Sequence, residues 1–142
     1  MNNALAVAVC LAFVVLALWH FHMAFAPSDG GSGAVPTVEG KSLFVPSVRA
    51  TVAVGIVLLS FAALVAATAG LVSLPMPRLA LVWLSYALAL GLLARSIGEF
   101  KYVGFFKRVR GSRFAKLDTL FYSPLCLLLA SGVALVALRN GA

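Results

Sequence analysis

Residues 95–126 read RSIGEFKYVGFFKRVRGSRFAKLDTLFYSPLC, and the reading of this stretch decides the fold. It holds seven of the eleven Lys and Arg residues and two of the four Asp and Glu residues, in a chain that is 63% hydrophobic. Immediately before it, residues 79–94 carry no charge, and after it residues 119–138 carry none either. Soluble domains carry charge on roughly a quarter of their residues, against 11% here. With so few polar residues no water-facing surface can be built, and the mean hydropathy of +1.07 points the same way. Apolar blocks of about 20 residues match the thickness of a bilayer. The composition therefore predicts an all-α membrane protein, a single transmembrane domain over residues 1–142.

Outward from the basic stretch, a helix is expected over about 79–97 and another over about 119–138, with residues 98–118 as a basic loop between them. The start of the last helix has two readings. Asp118 can cap a helix from Thr119, which leaves Pro124 to kink it. Alternatively Ser123 caps and Pro124 takes the first helical position, which leaves about 15 residues, short for a span. The earlier start is preferred.

Toward the N-terminus, Ser73–Arg78 with Pro75 and Pro77 reads as a short hairpin between antiparallel neighbours. A helix over about 48–72 precedes it, with Ala62, Ala66 and Gly70 spaced by four, and Ala63 and Ala67 likewise. Such small faces let helices approach closely in lipid, although a high alanine content alone also produces them. Residues 26–47 are too rich in Gly and Pro for a regular helix. Their apolar members Val35, Val38, Leu43, Phe44 and Val45 suggest a loop folded back on the helices as a lid. The first block, about 4–25, is uncharged and ends Trp19-His20-Phe21-His22. A signal peptide cleaved near Ala24-Phe25-Ala26 competes with a retained helix. The leading Met-Asn-Asn has no basic side chain and Pro27 follows the site, so a helix is expected.

Lys and Arg collect on the cytoplasmic side of membrane helices. The loop after the third helix and the loop after the first lie on one side, since two spans separate them. Together they hold nine basic residues, against Arg78 and Arg139 on the other side. The expected architecture is thus a four-transmembrane-helix bundle with both termini outside and both long loops cytoplasmic.

That topology brings polar residues to one level: His20 ending the first helix, Arg49 beginning the second, Arg95 and Glu99 ending the third, Asp118 and Tyr122 beginning the fourth. Ionisable groups within spans usually face the bundle interior and mark a site. Alternatively the arginines snorkel to headgroups and the others only flank the bilayer. Arg95 can pair with Glu99, four residues on, or with Asp118. His20 and His22 point about 200° apart on a helix and cannot share a metal ion. No metal or cofactor is expected, and Cys10 and Cys126, nearer opposite faces, are read as buried small apolar residues without a disulfide.

Lys101, Lys107, Arg108, Arg110, Arg113 and Lys116 interleave with aromatics, and Phe100, Val103, Phe106 and Val109 recur every three residues. Aromatics in the acyl boundary with bases at anionic headgroups fit a membrane-surface anchor. Gly98, Gly104 and Gly111 argue for broken turns rather than one helix. The partner expected is a bilayer with anionic headgroups, not nucleic acid; a homo-oligomer or an unidentified membrane partner stays open. No phosphate loop, nucleophile elbow or metal-ligand spacing is present.

RSIGEFKYVG (95–104), FAKLD (114–118) and YSPLC (122–126) resemble a bacterial family of small four-helix membrane proteins described only as a domain of unknown function. The aromatic and histidine end of the first helix and the prolines of the first loop are similar too, so the resemblance covers nearly the whole chain. It implies a bacterial cytoplasmic (inner) membrane protein with an acid at Glu99, and implies no activity. Two functions are carried forward. One is a binding or accessory protein holding a small amphiphile or lipid headgroup at a polar pocket formed by His20, Arg49, Arg95, Glu99, Asp118 and Tyr122. The other is a membrane enzyme acting on a lipid-soluble substrate, with Glu99 or a histidine as acid and base and Arg95 as electrostatic stabiliser. A small oligomeric transporter is weaker, because no charge sits at mid-membrane.

Overall fold

The computed structural model describes residues 3–26, 34–39 and 41–141. Four helices dominate: α1 (Ala4–Phe25), α2 (Val48–Thr68), α3 (Arg78–Ile97) and α4 (Arg113–Gly141), each long and apolar enough to cross a membrane. A two-stranded antiparallel hairpin, β1 (Thr37–Val38) and β2 (Lys41–Ser42), lies between α1 and α2, with Thr37 opposite Ser42 and Val38 opposite Lys41. The chain is a multi-pass membrane protein by the length and composition of its helices.

Side-chain contacts fix an up-down-up-down bundle. Arg78 at the start of α3 donates to the carbonyl of Asn140 near the end of α4 (3.0 Å), whereas Ser96 near the end of α3 donates to the carbonyl of Ser123 (3.0 Å). On the other side, Cys10 donates to the Ala62 carbonyl (3.4 Å), and Gly55 lies so close to the Phe21 ring that a Cβ would collide with it. α1 packs chiefly on α2 and α3 chiefly on α4. Phe13, Val65 and Val133 are fully buried where the two pairs meet, with Phe61 edge-on to Phe13 at 5.8 Å between ring centroids. A buried hydrogen bond of 2.9 Å between Thr68 and Ser85 joins α2 to α3. Lipid supplies no apolar drive for helices to associate, so close packing and such interhelical bonds hold the bundle.

Two helix ends differ from the sequence reading. α2 stops at Thr68 rather than near Val72, because Gly70 takes φ +73°. Gly70 N–H bonds to the Ala67 carbonyl (3.0 Å) and Leu71 N–H to that of Ala66 (2.8 Å), the Schellman closure that a left-handed glycine permits. Gly70 is thus a cap and not part of a packing stripe; of the alanines in those two series, Ala62 and Ala67 are buried and Ala63 is exposed. α4 begins at Arg113, six residues before the expected start, because Ser112 rather than Asp118 caps it, accepting from Ala115 N–H at 3.0 Å. Asp118 therefore lies inside the helix, and the irregular basic loop shrinks to residues 98–112.

α4 is regular over Arg113–Leu117 and Ser123–Gly141 and widens to a π-helical turn over Asp118–Tyr122, where Ser123 N–H reaches back to the Asp118 carbonyl. Pro124 gives the physical reason. It has no N–H to offer the carbonyl four residues earlier and its ring crowds that carbonyl. A wide turn just before it absorbs the misfit. In the first loop, residues 41–47 are exposed while Val35, Pro36 and Thr37 are half-buried; Gly30, Gly31 and Gly33 fall outside the described residues.

Candidate functional site: a clasped basic loop beside a cationic cleft

Asp118 faces α3 at 0% exposure, so its carboxylate must find donors within the protein. It has three. Arg95 Nη2 donates to Oδ1 (2.9 Å), while Lys107 Nζ (2.9 Å) and the backbone N–H of Gly104 (2.7 Å) both donate to Oδ2. Lys107 is 1% exposed and spends its other two protons on the Gly104 carbonyl (2.9 Å) and the Thr119 hydroxyl (2.7 Å). Thr119 passes its own proton to the Ala115 carbonyl at 3.1 Å, so the chain of bonds ends in the helix backbone.

The loop that delivers these donors can fold only with glycine at two places. Gly98 has φ +86° and Gly104 has φ +91°. A Cβ on Gly104 would strike the Ile97 carbonyl and Gly98 Cα, and one on Gly98 would strike the Val103 carbonyl. The loop thus doubles back against the end of α3, where Phe105 N–H bonds to the Ser96 carbonyl (3.0 Å) and Val109 N–H to the Lys101 carbonyl (3.0 Å). Asp118 then ties the returned strand to α3 and α4 at once.

A cleft of about 270 Å³ opens beside the clasp, lined by Phe105, Arg110, Ala115, Lys116, Thr119 and Leu120. Arg110 is oriented there by a 3.1 Å bond from its Nε to the Lys107 carbonyl. Lys116 is exposed and has no hydrogen-bond or ion-pair partner among the described residues. No carboxylate lines this cleft. A family profile described as "Protein of unknown function (DUF3995)" matches residues 13–133, which takes in α2, α3, the whole clasped loop and the cleft. The chain belongs to the DUF3995 family. No curated protein and no solved structure matches it.

In this DUF3995 protein the residues expected to form one pocket are divided. Arg95 and Asp118 meet directly, and Tyr122 lies one turn beyond Asp118 with its ring 6.0 Å from that of Phe114. Glu99 is exposed and does not pair with Arg95; its Oε1 accepts from Tyr102 N–H at 3.2 Å, closing a turn of the loop. His20 Nδ1 bonds to the Leu16 carbonyl of its own helix (2.7 Å), His22 is exposed beside Trp19, and Arg49 is exposed without a polar partner among the described residues. No hydrogen bond or ion pair among the described residues links α1 or α2 to Asp118, so the polar centre belongs to α3, the basic loop and α4.

Of the six basic residues expected at the membrane surface, Lys107 is corrected: it is the buried centre of the clasp, because its ammonium bonds the buried Asp118 carboxylate. Lys101 lies over the Tyr102 ring at 4.9 Å, and Arg108, Arg110, Arg113 and Lys116 are exposed. The rings of Phe100 and Phe106, 6.5 Å apart, are both exposed on the loop. Cys10 and Cys126 are free thiols. Among the described residues no group of three His, Cys, Asp or Glu side chains could hold a metal ion. The sequence reading missed Lys107 and the Gly104 amide. The signal lay in an acid near an apolar helix start, which needs more than one donor, facing a loop with glycines six apart.

Proposed function

We propose that this chain is a binding or accessory protein of the bacterial inner membrane that holds the headgroup of an anionic amphiphile at the cytoplasmic face, in the cleft between the clasped loop and the first turns of α4. The observation that carries this reading is the Asp118 clasp. It turns a run of basic residues that could have been a loose surface tether into a folded loop, and thereby holds Arg110 over a cleft that Lys116 of α4 also lines, with Phe105 and Leu120 as its apolar wall. Preorganised cations lose less freedom on binding than mobile ones. The orientation rests on the excess of Lys and Arg in the two long loops.

The test is native mass spectrometry of the protein in mild detergent with anionic or zwitterionic lipid added. Anionic lipid should be retained preferentially by the wild type and lost on Arg110→Ala/Lys116→Ala. Equal retention of both lipids, unchanged in the double variant, would overturn the proposal.

A further inference from the structure

We infer that the cleft selects a phosphomonoester head, the compact dianionic phosphate of a phosphatidic-acid-type lipid or of a free phosphate, over the phosphodiester heads of other anionic lipids. This inference rests on the cleft being a headgroup site, as proposed above, and adds which headgroup it takes.

Three observations carry it. The first is charge. Arg110 and Lys116 line the cleft without a carboxylate among its walls. The clasp behind it pairs Arg95 and Lys107 with the single acid Asp118, and so adds one unit of positive charge. A phosphomonoester carries about −1.5 to −2 at neutral pH, whereas a diester carries one charge. The monoester can engage both cations fully. No acid lines the cleft to receive the ammonium of a zwitterionic head.

The second is geometry. The bond from Arg110 Nε to the Lys107 carbonyl fixes one edge of the guanidinium, and neither terminal nitrogen has a partner among the described residues. Two parallel N–H groups match two oxygens of a terminal phosphate, a bidentate pairing that lysine cannot make. Lys116 supplies a point charge to the third oxygen. In a diester one of the three outer positions is an ester link to a further group.

The third is size and setting. At about 270 Å³ the cleft falls just below the range of ordinary small-molecule pockets, which suits a bare phosphate better than a glycerol or sugar head. Its Leu120 wall continues into exposed Phe121 on α4, a path for the acyl portion along the helix.

The experiment is lipid competition by native mass spectrometry in mild detergent, comparing phosphatidic acid, phosphatidylglycerol and phosphatidylcholine at pH 5.5 and pH 7.5, with inorganic phosphate as a further arm. Phosphatidic acid should be preferred over phosphatidylglycerol by about tenfold at the higher pH, because the second phosphate ionisation lies near pH 6. The preference should shrink at the lower pH, while retention of phosphatidylglycerol stays flat. Arg110→Lys should abolish it by removing the bidentate pairing while keeping the charge. Equal retention of the two anionic lipids above phosphatidylcholine would overturn the phosphomonoester inference and leave the headgroup site standing. Equal retention of all three would overturn both. Competition by millimolar inorganic phosphate would assign recognition to the head alone; retention of phosphatidic acid unaffected by phosphate would assign it to the lipid. A preference for phosphatidic acid unchanged in Arg110→Lys and unchanged with pH would also overturn the inference.

Discussion

The Lys107 ammonium and the Asp118 carboxylate meet at 2.9 Å with both side chains shut away from solvent, and every proton of the ammonium has an acceptor. Their removal from water is offset only because each is fully bonded. A buried pair of this kind adds little compared with well-packed apolar residues, but breaking it by removing one partner costs about 3–5 kcal/mol. Asp118→Asn and Lys107→Met should each lower the thermal midpoint in detergent markedly. The double variant should be less damaging than the sum of the two, since it leaves no fully buried charge unpaired and only the partly exposed Arg95 without its acid. Strictly additive losses would mean the residues do not act as a pair. Arg95→Ala should cost less than either, because its side chain is 37% exposed and water can replace part of what it gives.

Gly104→Ala should be far more damaging than Gly70→Ala. The Gly104 φ of +91° excludes a side chain, and the added Cβ would collide with backbone at the end of α3. Gly70 has a similar positive φ of +73°, yet nothing stands within 4 Å of a Cβ built there. Gly70→Ala should therefore cost only the conformational penalty, about 1–2 kcal/mol, while Gly104→Ala also displaces the amide that bonds Asp118. Thermal midpoints of the two variants side by side check this, and equal losses would count against the clasped loop.

The four helices were legible because apolar runs of bilayer length leave little choice of structure, and the bends of residues 98–112 because three glycines interrupt them. Pairing of Arg95 with Asp118 was one of two readings, and only the fold decides it, since Glu99 is four residues from Arg95 in sequence yet turns to cap Tyr102. Which of the basic residues answers Asp118 was not legible. A lysine amid other bases reads as solvated unless one knows that the loop doubles back over Asp118, which depends on two left-handed glycines acting together. The six residues expected at one pocket do not all meet, for a similar reason. Residues at one membrane level need not face one another, and His20 satisfies itself on its own helix.

The proposed orientation places the short α2–α3 connection outside and the basic loop inside. In a chain with Cys10 and Cys126 replaced by Ala, a thiol introduced by Leu74→Cys should react with a membrane-impermeant maleimide added to intact cells. One introduced by Arg108→Cys should react only after lysis. Both parent residues are exposed, so access to the reagent and not burial decides the outcome. The reverse labelling pattern would put the cleft on the outer face.

α4 is pinned to α3 at both ends, by Asp118 and Ser123 at one and by Asn140 at the other, so its internal register matters. The π-helical turn over Asp118–Tyr122 behaves as one residue added to a regular helix. Deleting Phe121, which is exposed and within that turn, should let the segment close toward ordinary helix, at the cost of the crowding Pro124 then meets, while Asp118 and Ser123 keep facing α3. Deleting Leu128, equally exposed but in the regular part, should instead rotate one pinned end against the other by about 100°. The first deletion should preserve a cooperative thermal transition in detergent and the second should abolish it. Equal damage from both would mean that the wide turn is not a register adjustment but a conformation Asp118 requires for its three bonds.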